Sequence, residues 1–195
     1  MQPDLLFDPA FIAEEERADL FASLSREIAF APESIRIFGR LMPVPRLVAW
    51  HGDPDTAYVY SGTHHDPLPW TPALAHLRAR VSARAGQPFN SVLANLYRSG
   101  TDSMGWHSDD EPELGPDPVI ASLSLGATRR FRLKPKAAGG RPVEIALTDG
   151  SLLVMRAGVQ RGWQHAIPKE AAVQGPRINL TFRTVTPAAR PSRSV

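Results

Sequence analysis

At 195 residues the chain is sized for one compact domain, and 43% apolar with 22% charged residues suits a water-soluble globule with a core, which excludes a disordered chain, a collagen-like rod and a coiled coil. No apolar run approaches the ~20 residues of a membrane span and no basic-then-apolar leader opens the chain. The absence of cysteine removes disulfides, thiolate nucleophiles, Fe–S clusters and zinc ribbons, so any transition metal must be held by histidine and carboxylate.

Phe11 to Ile28 predicts an amphipathic helix, with Phe11, Ile12, Leu20, Phe21 and Leu24 on one stripe and Glu14 to Glu16 in the early turns, where the helix dipole favours acids. Pro72 to Ala85 predicts a second, with Leu74, Leu77 and Val81 at helical spacing and Gly86 as its stop. From residue 90 the pattern changes to short β-type runs over Ser91 to Tyr97, Val119 to Leu125, Arg130 to Lys134, Val143 to Leu147, Ser151 to Met155 and Arg177 to Val185, parted by Gly, Pro and Asp turn signals. The expected architecture is one α+β domain with a β-sandwich or jelly roll in its C-terminal half and a frayed tail over 187–195.

The net charge of +2 is unevenly spread. Residues 1–28 carry seven acids against Arg17 and Arg26, residues 151–195 carry seven bases against Glu170, and Arg129 to Arg141 carries six bases and no acid. That last density suits a phosphate-rich partner or, equally, a solvated hairpin.

His107 precedes Asp109 by two in Trp106-His-Ser-Asp-Asp-Glu111, so on an extended segment both side chains leave from one face and can grip one ion, though His-x-Asp also arises by chance. His165 lies 56 residues beyond Asp109, after the Ser151 to Met155 run. Two histidines and a carboxylate form the facial set of a non-haem Fe(II) site, while a His165 that only packs beside Trp163 is the structural alternative. In Arg177-Ile-Asn-Leu-Thr-Phe-Arg183, Arg177, Asn179, Thr181 and Arg183 share one face and Ile178, Leu180 and Phe182 the other. Two arginines on a barrel-facing surface demand anions, and a dicarboxylate would satisfy both; on an edge strand the same face would simply be solvated.

Asn90 to Tyr97, Trp106 to Leu114, Ile120 to Thr128, His165 and Arg177 to Arg183, taken in order, resemble the AlkB family of Fe(II)- and 2-oxoglutarate-dependent nucleic-acid dealkylases, nearest to the subgroup that includes the mammalian alkylation-repair homologues 2 and 3. The resemblance runs over about residues 35 to 186. It implies a double-stranded β-helix over 91–186, preceded over 1–90 by flanking helices and a nucleotide-recognition lid of the same domain. It also implies His107, Asp109 and His165 as catalytic iron ligands, and Asn95, Tyr97, Arg177, Asn179, Thr181 and Arg183 as the 2-oxoglutarate pocket, with Arg183 on one carboxylate and the distribution of carboxylates between the arginines open.

The implied reaction uses O₂ to decarboxylate 2-oxoglutarate to succinate and CO₂ and hydroxylates an N-alkyl carbon of 1-methyladenine or 3-methylcytosine, which is then shed as formaldehyde. Tyr60, with Tyr58 beside it, matches the aromatic that stacks on the flipped base, and Asp110 or Glu111 is placed to select the cationic charge of the lesion; core packing and turn capping are the structural alternatives. Ile37-Phe38-Gly-Arg40 resembles a finger that wedges Phe38 into a duplex, with Arg40 and the Arg129 to Arg141 stretch on phosphates. The expected partner is alkylated DNA, single-stranded somewhat over double-stranded. RNA or a protein side chain is the alternative substrate, and a binding module on an inactive oxygenase fold the rival class. The expected state is a monomer in the cytoplasm or nucleoid, or in the nucleus of a eukaryote, with no membrane partner.

Overall fold

The computed structural model describes residues 2–37, 40–56, 58–60 and 63–186, leaving aside the side chains of 35–40 and 57–65. In chain order the elements are β1 (Leu5–Asp8), α1 (Glu14–Glu27), β2 (Ala31–Ile37), β3 (Arg40–Gly52), β4 (Tyr58–Tyr60), β5 (Thr63–His65), α2 (Pro72–Ala85), β6 (Ser91–Tyr97) and β7 (Met104–His107). A 3-10 turn (Pro112–Leu114) follows, then β8 (Ile120–Gly126), β9 (Arg129–Pro135), β10 (Val143–Leu147), β11 (Leu152–Met155), α3 (Val159–Gly162), β12 (Trp163–Ile167) and β13 (Arg177–Arg183).

Two antiparallel sheets face each other. The larger has the order β1-β11-β8-β13-β6-β3-β2 and the smaller β10-β9-β12-β7, with β4 and β5 forming a separate hairpin. This is the expected jelly-roll architecture, but the sheet is not confined to the C-terminal half. β1 pairs with β11 and β3 with β6, so the first fifty residues extend the larger sheet.

Helix α2 has the predicted limits: Thr71 Oγ1 accepts from the Leu74 N–H, Pro72 opens the first turn, and Gly86 closes it at φ +75°, where a side chain would be strained. Helix α1 starts at Glu14 rather than Phe11, because the Ile12 N–H is taken by the Gly150 carbonyl and residues 9–13 serve as a connection. The last strand ends at Arg183, after which Val185 is held by the Asn90 side chain through bonds to both its N–H and its carbonyl.

Strands β2 and β3 were hidden in the sequence by Pro32, Pro43 and Pro45. Proline is tolerated here because β2 is an edge strand and β3 pairs with β6 only from Leu47 onward, so the missing N–H groups break no central ladder. Strand β13 is central, flanked by β6 and β8, and buried along its whole length. Ile178, Leu180 and Phe182 enter the main apolar core with Leu74, Leu77 and Val81 of α2. Each such side chain contributes about 1.5–3 kcal/mol by burial. The opposite face of β13 points between the sheets, and that overturns the solvated-edge alternative. Among the described residues no helix is long and apolar enough to cross a membrane.

Candidate metal centre

Strand β7 ends on His107 and β12 carries His165 directly opposite it in the ladder, with the ring centroids 4.2 Å apart. Asp109 follows two residues after His107, with Oδ1 at 3.9 Å from His107 Nε2 and Oδ2 at 3.8 Å from His165 Nε2. One ligand atom from each residue lies within 4.8 Å of the others, the one such cluster among the described residues. Adjacent strands of the smaller sheet thus supply both imidazoles, and a turn after the edge strand supplies the carboxylate.

The protonation states suit a metal. Burial, followed by the neighbouring His107 ring, pushes the His165 imidazole down to about 3, so it is a neutral donor at physiological pH. Burial alone would raise Asp109, but the Arg183 guanidinium and then the two imidazoles outweigh it and hold the carboxyl below its usual range. His107 Nδ1 lies 2.9 Å from the Gly105 carbonyl; donating there, it leaves the Nε2 lone pair facing Asp109.

Asp109 is held by contacts that the sequence did not reveal. Its N–H donates to Gln160 Oε1 at 3.0 Å, and Oδ1 accepts from Arg183 Nη2 at 2.6 Å. Gln160, on the short helix α3, is fully buried and also donates to the Met155 sulfur at 3.4 Å. The adjacent Ser108 hydroxyl donates to the Trp163 carbonyl at 2.9 Å.

Behind the cluster, a cavity between the sheets is lined by all six of the expected cosubstrate residues, Asn95, Tyr97, Arg177, Asn179, Thr181 and Arg183. Arg183 sits at the Asp109 end. Arg177, at the other end of β13, is 1% exposed and donates through Nη2 to Ser124 Oγ at 2.9 Å. Its Nε and Nη1 are buried without a hydrogen-bond partner, and the Tyr97 ring lies 5.2 Å from its Cζ. Burial lowers its pKa to about 10, opposed by Tyr97, and the group remains a cation at neutral pH. Between the arginines, Asn179 donates to Ser122 Oγ at 2.8 Å and accepts from Thr181 Oγ1 at 3.0 Å and Asn95 Nδ2 at 3.3 Å. Asn95 in turn accepts from Arg46 Nε at 2.7 Å. The alternation of Ser122 and Ser124 with apolar residues in β8 was the available signal for those two; Arg46 and Gln160 had none.

A buried cation with two unanswered donors is costly unless an anion joins it. Two imidazoles and a carboxylate suit ferrous iron, and the two arginines that line the same cavity supply cations for a diacid bound beside it. The residues present therefore fit both iron and 2-oxoglutarate.

The expected substrate residues are differently placed. Phe38 lies outside the described residues, as do the side chains of Arg40, Tyr58 and Tyr60. Asp110 is 61% exposed and paired with Lys136 at 3.1 Å, whereas Glu111 has a buried Oε2 with no partner. Arg129 departs from its expected role on phosphates. It is 1% exposed and donates to Glu170 and to the carbonyls of Ser99, Asp102 and Pro168, so it ties loops together.

Residues 4–183 match the model of the 2OG-Fe(II) oxygenase superfamily. The chain is 48% identical over 155 residues to the human alpha-ketoglutarate-dependent dioxygenase alkB homolog 3, covering 75% of this chain and 54% of that protein. With the bovine alkB homolog 3 the identity is 42% over 191 residues, covering 93% and 66%. With the mouse DNA oxidative demethylase ALKBH2 it is 40% over 185 residues, covering 90% and 77%. The chain thus spans about half to two thirds of the length of the alkB homolog 3 relatives. Among solved structures, OsALKBH1 superposes with a TM-score of 0.63 at 17% identity, covering 94% of this chain and 99% of that one. An oxidoreductase of the 2OG-Fe(II) oxygenase family from Burkholderia pseudomallei gives 0.62 at 14%, covering 98% and 89%. At such identities these two speak for the fold alone. Fold, donor set and sequence agree, and the chain belongs to the AlkB family within the 2OG-Fe(II) oxygenase superfamily.

Proposed function

We propose that this chain is an oxidative demethylase of DNA bases, acting on 1-methyladenine and 3-methylcytosine as a monomer. The observation that carries the chemistry is the buried, half-satisfied Arg177 on the same strand as the Arg183 that grips Asp109. The substrate class rests on the relatives, one of which is named a DNA oxidative demethylase.

His107, Asp109 and His165 would hold ferrous iron, which with 2-oxoglutarate and O₂ supplies the oxidation that ends in succinate, CO₂ and release of the alkyl carbon as formaldehyde. Arg177 neutralises the far carboxylate of the diacid, and Ser124 and Tyr97 orient the guanidinium. Arg183 keeps Asp109 ionised and fixed. Asn95, Asn179 and Thr181 exchange hydrogen bonds that set the polar wall of the cavity. A base flipped out of its stack would be stacked by Tyr60, with Tyr58 beside it, opposite His107, and its alkyl group loosens it for flipping by blocking Watson–Crick pairing. Because Asp110 is already paired with Lys136, Glu111 is the carboxylate available to the cationic charge of the lesion. Phe38 would wedge and Arg40 would meet phosphate, with single strands somewhat preferred.

The test compares release of formaldehyde and succinate from methylated DNA, RNA and peptide. DNA should be turned over best, with succinate and formaldehyde in equal amounts. Turnover of peptide alone would overturn the reading. Absence of iron-dependent succinate formation with every one of these substrates would point to a retired oxygenase fold.

A further inference from the structure

Trp106 is one of two aromatic side chains among the described residues left substantially in water, at 40% exposed against 37% for Phe7. Trp106 sits on the edge strand β7 directly before His107 and, unlike His107, lines the outer groove and not the metal cavity; a register shift between β7 and β12 lets Met104 and His107 both reach that cavity. Lys134, on the same outer face, places its Nζ 4.5 Å from the indole centroid. Beside the indole runs a groove of about 180 Å³ whose walls include Trp106, Arg132 and Lys169 and no carboxylate. Lys169 has no acidic partner among the described residues, and Arg132 is 46% exposed with only a loose contact to Glu144 at 3.4 Å. Met104, Ala166 and Ile167 wall both this groove and the metal cavity, so the two are separated by one strand pair.

A flat exposed ring flanked by cations is the combination with which proteins hold single-stranded nucleic acid: the ring takes a base face of any sequence and the cations take phosphate. Resting on the demethylase reading, we propose that this groove is a second nucleotide subsite, in which Trp106 stacks a base flanking the flipped lesion on the same strand and Arg132 and Lys169 bind its phosphates. Lys134 caps the indole in the free chain, and an incoming base replaces that contact with its own. The subsite reads no sequence; it favours substrates that extend beyond the lesion.

The test uses the full chain loaded with iron and 2-oxoglutarate and two probes: a single-stranded octamer with a central 3-methylcytosine, and the methylated nucleoside 5′-phosphate, too short to reach the groove. Stacking losses of this kind are worth ~1–3 kcal/mol, so Trp106→Ala should raise KM for the octamer about fivefold or more and Trp106→Phe should recover most of it. The loss on the nucleotide should be much smaller. Independently of turnover, binding of an unmodified oligothymidylate octamer should quench tryptophan fluorescence in the natural chain and not in Trp106→Phe. Lys169→Ala should lower the slope of log affinity against log salt by ~0.7. Equal losses on both probes would mean that Trp106 acts only through His107 and would overturn the subsite. If the natural chain turned over methylated DNA and Trp106→Ala matched it on the octamer, the subsite alone would fall; if no methylated nucleic acid were turned over, the demethylase reading would fall with it.

Discussion

Replacing Arg177 with methionine separates what the guanidinium does for the fold from what it does for the cosubstrate. In the natural chain it is a wholly buried cation that keeps one bond to Ser124 and leaves Nε and Nη1 unanswered. Two charge-assisted bonds to a carboxylate at ~1.5–3 kcal/mol each, or breaking a buried pair at ~3–5 kcal/mol, agree on a loss of about 3–5 kcal/mol. That weakens 2-oxoglutarate by a factor of roughly 150 to 5000. Methionine has similar reach and no charge to desolvate, so the ligand-free variant should melt no lower than the natural chain. Thermal melts with Mn(II) in place of iron, under nitrogen, read both quantities. At a hundred times Kd the natural chain should gain about 2.7 kcal/mol, roughly 5–10 °C for a domain of this size. The variant should gain almost nothing. If Arg177→Met bound the diacid within tenfold of the natural chain, the far carboxylate would be held elsewhere and the reasoning would be wrong.

Arg183→Met should remove the strongest of the charges that oppose the burial of Asp109, so Co(II) binding followed by its visible absorption should need a higher pH than in the natural chain. Gln160→Leu strands the Asp109 N–H; isothermal titration should find metal affinity about 10- to 100-fold weaker, and urea unfolding a loss of about 1–3 kcal/mol. The metal-free chain should lose stability as pH falls from 6.5 toward 3, because the unfolded His165 takes a proton near 6.5 and the folded one resists until about 3. At pH 5 this amounts to at most about 2 kcal/mol, and urea titrations of His165→Gln should show a flatter profile over that window. Leu180→Ala, on the apolar face of β13, should cost about 2–5 kcal/mol in the same assay.

His107 with Asp109, and the polar face of β13, were legible because each lies on a short run with its own pattern, whereas Asn95 and Tyr97 were reached only through the family resemblance. His107 and Asp109 are two apart, and β13 alternates without a break. Helix α2 was legible because Thr71, Pro72 and Gly86 punctuate it. What escaped is what depends on partners distant in sequence. Nothing around Arg129 distinguishes it from its basic neighbours, and only the loops that close over it make it internal. Nothing local marks Gln160 as the prop of a residue 51 positions earlier. Strands β7 and β12 were missed because glycine and the ligands themselves dilute their apolar pattern, and β3 because its prolines read as breaks.

Strand β13 joins two demands in one seven-residue stretch: its even-numbered positions hold the apolar layer together and its odd-numbered ones line the polar cavity between the sheets. A slip of one residue against β6 would drive two guanidinium groups into hydrocarbon, so a misaligned chain is rejected during assembly instead of surviving as a folded but inert product. Selection acting on catalysis and selection acting on foldability therefore reach this segment together, and neither can be relaxed while the other is kept.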